Sequence, residues 1–160
     1  MVPKKKEKST ILLDSISIGA WNIGGIKNKS DDPHFIDELA RHQIVVLGET
    51  FADNEVFSFP GYKVKNIFRT KKHKKARRNS GGVSVLTENR IADYVKPVKC
   101  TAEHLIWMKI DKKLTSYPKD LYLCCAYIPP YGSAYYKSHP DIDLFDLLST
   151  DITNFSKLVT

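Results

Sequence analysis

Ile44-Val45-Val46-Leu47-Gly48-Glu49-Thr50 is the stretch on which the fold turns. Four apolar residues, three of them branched at Cβ, run straight into a glycine and then a carboxylate. A short continuous apolar run of this kind fits a strand buried on both faces of a sheet. Ligands collect where the strands of such a sheet end. Glu49 stands at that kind of position and is the first candidate for chemistry.

Upstream, Ile16-Ser17-Ile18-Gly19-Ala20-Trp21 alternates enough for a first strand. Ile16, Ile18, Ala20 and Asn22 fall on one face, because side chains repeat every two residues. Asn22 leaves the strand end and Gly24-Gly25 makes a turn; taken alone, Asn22 reads as a turn residue. Asp31-Asp32-Pro33 starts a helix, with Asp32 as cap and Pro33 at the first helical position, where its missing N–H is no loss. Phe35, Ile36, Leu39 and Ala40 form its apolar stripe. It ends near Arg41-His42, and His34 and His42 read as surface residues. Strand, helix and strand make a β-α-β unit, so the first two strands are expected parallel.

Downstream, Tyr62 to Phe68 alternates and Val83-Ser84-Val85-Leu86 is the next strand. The two read as an antiparallel hairpin with a long basic tip closed by Asn79-Ser80-Gly81-Gly82. Leu105 to Ile110 is another strand. Leu121 to Ile128 is apolar on both faces and is expected to be central. It stops at Pro129-Pro130, which cannot donate to a ladder, and leaves Tyr127 at its end. Pro140-Asp141 is expected to open a second helix, with Phe145, Leu148, Ile152 and Phe155 as its packing face. The expected architecture is one α/β unit with a mixed sheet and two helices. Residues 1–10 read as a disordered basic tail and 11–160 as the domain.

The 160 residues are enough for one domain with a real core. No apolar run approaches the roughly 20 residues that span a bilayer, and Ile11-Leu12-Leu13 is too short for a signal-peptide core. An intracellular protein without a membrane partner is expected, the nucleus being one destination. Three cysteines, Cys100, Cys124 and Cys125, make an odd count that argues against a disulfide framework.

The formal net charge is +7. Arg69, Lys71, Lys72, Lys74, Lys75, Arg77 and Arg78 supply seven cations without one acid between them. Without those seven, 18 of the 25 basic residues remain against 18 acidic ones. The excess is one patch, which points to a polyanionic partner.

Four segments carry a family resemblance: Trp21-Asn22-Ile23-Gly24-Gly25, Val46-Leu47-Gly48-Glu49-Thr50, Ser80-Gly81-Gly82-Val83 and Ala126-Tyr127-Ile128-Pro129-Pro130. In this order and spacing the chain resembles the endonuclease/exonuclease/phosphatase superfamily. The basic stretch before Gly81-Gly82 is similar to the endonuclease domains of non-LTR retrotransposons. The resemblance implies part of a four-layered, DNase I-like α/β sandwich that hydrolyses phosphodiesters with Mg²⁺, Mn²⁺ being an alternative. It implies Glu49 as the metal carboxylate, Asn22 as a residue orienting metal and phosphate, and Tyr127 as the contact to the scissile phosphate. The family's Asp-x-Asn pair and late Asp-His pair have no counterpart here, and His139 lies in a polar turn. A C-terminal half is therefore expected to be missing, with one sheet face uncovered and activity weak or absent.

The expected partner is DNA, with RNA as a further polyanion; no oligomeric state is readable. Three functions compete on sequence alone. The first is a metal-dependent endonuclease domain, the second a non-catalytic nucleic-acid-binding remnant. The third is a phosphatase for inositol phosphates or sphingomyelin-type lipids, also found in that superfamily.

Overall fold

The computed structural model describes residues 11–52, 57–68 and 81–159. The basic tail over 1–10 and the cations from Arg69 to Arg78 lie outside the described residues. The elements in order are β1 (Ile18–Asn22), α1 (Pro33–Leu39), β2 (Ile44–Gly48), β3 (Tyr62–Ile67), β4 (Val83–Glu88), β5 (Val95–Thr101), β6 (Leu105–Ile110), β7 (Leu121–Ala126), α2 (Ala134–Ser138) and α3 (Leu144–Val159). A single 3-10 turn, Lys112–Leu114, links β6 to β7.

The strands form two sheets where one was expected, ordered β1-β2-β4-β3 and β5-β6-β7. β1 and β2 are parallel, as the β-α-β reading requires. β3 and β4 form the antiparallel hairpin, and β4 also pairs antiparallel with β2. β5 was not foreseen: it carries Lys96, Pro97, Lys99 and Cys100, all exposed, and so lacks a clear apolar alternation. β7 pairs with β6 alone among the described strands, so it is an edge, not the central strand expected. Its residues are mostly half-buried.

The apolar run of β2 is divided between two cores. Ile44 and Val46 face one cluster with Val83, Val85, Ile106, Met108, Ile110 and Cys125, which lies between the sheets. Val45 and Leu47 face a second, with Leu39, Phe59 and Leu86, under α1. This is the two-residue period of a strand, with both faces apolar. Each buried aliphatic side chain contributes about 1.5–3 kcal/mol. Both faces of the first sheet are thus covered, contrary to the expectation of a bare face.

α1 begins as expected. The Asp32 carboxylate accepts from the backbone N–H of His34 (3.0 Å) and Phe35 (3.4 Å), and Pro33 takes the first position. At its other end Tyr62 Oη lies 2.5 Å from the Leu39 carbonyl oxygen and 2.6 Å from that of His42. Leu39 is the last helical residue, whose carbonyl has no partner within the helix, and His42 lies in the turn beyond it. Burial, with Glu88 nearby, holds the Tyr62 phenol above its ordinary pKa. His42 is half-buried, not a surface residue: it packs edge-on against Trp21 and contacts Ser17 Oγ at 2.8 Å.

α3 begins at Leu144, later than expected, with Asp143 accepting from Phe145 N and Asp146 N. Its packing face is also rotated from the expected one. Phe145 and Ile152 are more than half exposed, while Leu144 and Asp151 are buried at 1%. The cause is Asp151, which turns to the outer face of the second sheet. There it accepts hydrogen bonds from Thr101 Oγ1 (2.6 Å) and Trp107 Nε1 (2.8 Å) and pairs with Lys99. Phe155 closes the same face against Trp107 and Tyr122, with ring centroids 4.6 and 4.8 Å away.

Burial alone would raise the Asp151 pKa, but the donors from Lys99, Thr101 and Trp107 outweigh it and hold the pKa below the ordinary 3.8. A lowered folded pKa means stabilisation that is present above about pH 4 and fades as pH falls through the folded value. Asp151→Asn is expected to cost about 1.5–3 kcal/mol at pH 7, the worth of hydrogen bonds to a charged group. Urea melts at pH 7 and pH 3 check this: the gap between variant and wild type should narrow in acid.

Candidate functional site

β1 and β2 finish side by side, with Asn22 opposite Gly48. Beyond Gly48 the chain leaves the ladder yet stays bonded on both flanks. On one side Ile23 N donates to Gly48 O (3.0 Å), Gly25 N to Glu49 O (2.8 Å) and Ile26 N to Thr50 O (2.8 Å). On the other, Thr50 N donates to Gly82 O (3.4 Å) and Phe51 N to Gly81 O (3.0 Å). Glu49 and Phe51 take left-handed backbone angles, φ 53° and 50°. A non-glycine residue there costs about 1–3 kcal/mol and persists only where its surroundings fix it. The two flanking sets of backbone bonds do so.

This turn carries the Glu49 side chain to the second sheet. Tyr127 Oη donates to Glu49 Oε1 at 2.5 Å, joining residues 78 apart in sequence. Tyr127 N in turn donates to His104 O at 3.0 Å, where β6 begins and β7 ends. The two chief sequence-derived residues are therefore brought into direct contact, with the Asn22 strand end beside them. Asn22 itself accepts from Gly24 N through Oδ1 at 3.2 Å, the turn role that its type suggests.

The tyrosine ring sits among glycines. A Cβ on Gly48 would lie 3.4 Å from Tyr127 Cδ2, and one on Gly81 would lie 3.8 Å from Tyr127 Cε1. Gly82 has φ 89°, and a Cβ there would lie 2.5 Å from Thr50 Oγ1. The Gly81-Gly82 segment is thus needed for close approach of β4 to the turn at Glu49.

His104 was missed. It has no exposed surface, and its ring centroid lies 6.0 Å from that of Tyr127 and 4.4 Å from that of Tyr135. The available signal was its place, a titratable residue directly before the apolar run of β6, which starts where β7 ends. His139 lies farther out, stacked on Tyr135 at 4.7 Å with Nδ1 3.1 Å from the Tyr135 carbonyl oxygen.

Glu49 offers one carboxylate, and Asn22 an amide oxygen that already accepts from Gly24 N. Among the described residues no group of three or more His, Cys, Asp or Glu side chains could hold a metal. A set of hard oxygen donors this small fits Mg²⁺, which keeps several waters and needs only one or two carboxylates. It does not fit a site that encloses its ion. The seven cations from Arg69 to Arg78 lie outside the described residues, in the connection from β3 to β4. Among the described residues no helix is long and apolar enough to cross a membrane.

No protein-family model matches this chain, and no curated protein matches it.

Gly82→Ala is expected to destabilise the fold by about 1–3 kcal/mol, because the backbone is left-handed there and the new methyl meets Thr50. The same substitution at Gly61, also left-handed at φ 82° but with open space around it, isolates the backbone part of the cost. Thermal melts of the two variants check this: Gly82→Ala should fall further than Gly61→Ala.

Proposed function

We propose that this chain supplies the metal carboxylate and the phosphate-facing tyrosine of a Mg²⁺-dependent phosphodiester hydrolase acting on DNA, related to the endonuclease/exonuclease/phosphatase superfamily. The observation that carries this reading is the Tyr127–Glu49 hydrogen bond next to the Asn22 strand end. Glu49 and Tyr127, from separate sequence segments, meet where both sheets end, and Asn22 closes the strand beside them. The packing order supports it too: α1, the first sheet, the second sheet and α3 follow one another, the order of a four-layered sandwich.

The chain's own groups have defined tasks in this reading. The Tyr127 hydroxyl carries one proton and can donate it to Glu49 or to a non-bridging phosphate oxygen, but not fully to both. Phosphate binding draws the hydroxyl away from Glu49 and leaves both carboxylate oxygens for a cation. A preorganised donor of this kind, aimed where negative charge develops, is worth about 10²–10³ in rate. Asn22 commits its amide oxygen to Gly24 and keeps an NH₂ group that can donate to phosphate. Mg²⁺, when bound, supplies neutralisation of charge on the phosphate and the leaving oxygen. None of the three residues is a general base, which is worth about 10²–10⁴, so the rate of this chain by itself is expected to be low.

A second reading, binding without cleavage, is favoured by the charge distribution, with all of the net excess in one run of ten residues. Both readings share the polyanion and differ in Glu49.

Nicking of supercoiled plasmid in Mg²⁺ separates them. Glu49→Gln is expected to lower nicking by about 10²-fold or more while leaving DNA affinity nearly unchanged. A variant that nicks as fast as wild type removes Glu49 from the site.

The cation run has its own test. With about four phosphate contacts, log affinity falls with log salt at a slope near −3.6. Neutralising Lys71, Lys72, Lys74 and Lys75 should flatten that slope, and an affinity insensitive to salt in wild type would remove the nucleic-acid partner.

A further inference from the structure

His104 takes no part in the tasks above, yet it is the histidine built into the site. Its carbonyl oxygen receives the Tyr127 backbone N–H. Its ring is tilted 37° to the Tyr127 ring and meets Tyr135 edge-on at 84°. A Cβ on Gly81 would lie 3.7 Å from His104 Cε1 and 3.8 Å from Tyr127 Cε1, so both rings close over the same glycine.

Tyr127 needs such support. It follows the last residue of β7, an edge strand, and Pro129-Pro130 brings no further backbone donors. Its backbone N–H is held by His104 O, and the direction of the ring also depends on the surfaces around it. Those surfaces are the core between the sheets, Gly48 and Gly81, which offer no side chain, and the His104 ring. Behind His104 stands Tyr135, 2% exposed on α2, which is itself backed by His139. Rings therefore run from Tyr127 through His104 and Tyr135 to His139, tying α2 to the site.

We propose that His104 is a positioning residue for Tyr127, its ring fixing the phenol plane so that the hydroxyl reaches the Glu49 carboxylate and, in turn, a phosphate oxygen. This rests on the reading of Tyr127 as the phosphate-facing donor. His104 acts through Tyr127 and does not touch the substrate.

A flat ring of similar size should replace His104, and a branched aliphatic side chain should not. His104→Phe is expected to keep kcat for plasmid nicking within about threefold of wild type. His104→Leu is expected to lower kcat by about 10–100-fold with KM little changed, since a misplacement near 1 Å can cost that much. In a Tyr127→Phe background, His104→Leu should cost nothing more, because residues that act as one unit are not additive. A full, additive loss in that background overturns the proposal, as does a wild-type kcat in His104→Leu.

A second readout needs no turnover. The ¹³Cζ resonance of labelled Tyr127 reports its hydroxyl's hydrogen bond, and Glu49→Gln assigns that signal. His104→Leu should move the resonance toward its position in Glu49→Gln, and His104→Phe should leave it in place. An unmoved resonance in His104→Leu overturns the positioning role even where nicking is seen. A protein that does not nick at all defeats the hydrolase reading, and the resonance then decides the role of His104 alone.

Discussion

Everything in this structure hangs on β2 burying both of its faces at once. Ile44 and Val46 belong to the core between the sheets, Val45 and Leu47 to the core under α1. A strand with four apolar residues in a row can satisfy two cores only if each has a second wall. The second sheet provides one and α1 the other. A slip of one residue would exchange the two sets of side chains, so the neighbours must fix the register. β1 does so in parallel and β4 antiparallel, and both pairings run out at Gly48.

That shared end makes the candidate site. A residue after Gly48 cannot continue the ladder, because β4 arrives with the left-handed pair Gly81-Gly82. The chain turns through Glu49 and Phe51 and spends backbone strain to do so. The turn carries a carboxylate off the first sheet toward the second, where β7 has just ended at Tyr127. Two sheets that share a core thus share a polar contact at its edge, and Gly48 and Gly81 leave the room in which the phenol lies.

Much of this was legible in residue order, and the rest failed for identifiable reasons. β2, the Asp32 cap, the β3–β4 hairpin and the places of Asn22, Glu49 and Tyr127 follow from period, capping chemistry and strand-end polarity, all local signals. The division into two sheets does not, because one apolar strand cannot say whether its other face meets a helix or another sheet. β5 was invisible because a strand with exposed lysines and a proline has little apolar period to detect. The face of α3 was misjudged because Asp151 replaces an apolar residue at its buried centre, which no hydrophobic pattern can show. His104 was passed over for a related reason: a buried polar residue is recognised by its surroundings, and those come from distant segments.

The two acids Asp151 and Glu49 are handled in opposite ways, and that difference separates scaffold from candidate site. Asp151 is 1% exposed and has three donors, one of them a lysine, so its charge is spent on holding α3 to the second sheet. A ligand at Asp151 would have to replace all three bonds, and removing a partner from a buried charge is costly. Glu49 is only half-buried, and among the described residues its side-chain partner is one neutral hydroxyl. A neutral donor on a half-solvated carboxylate can leave at small cost, since water or a cation can take its place. Burial and conformational strain are features of many acids in proteins; an acid held in place by one exchangeable donor is the one that can do chemistry. By that measure Glu49 is the acid left open to exchange and Asp151 is part of the frame.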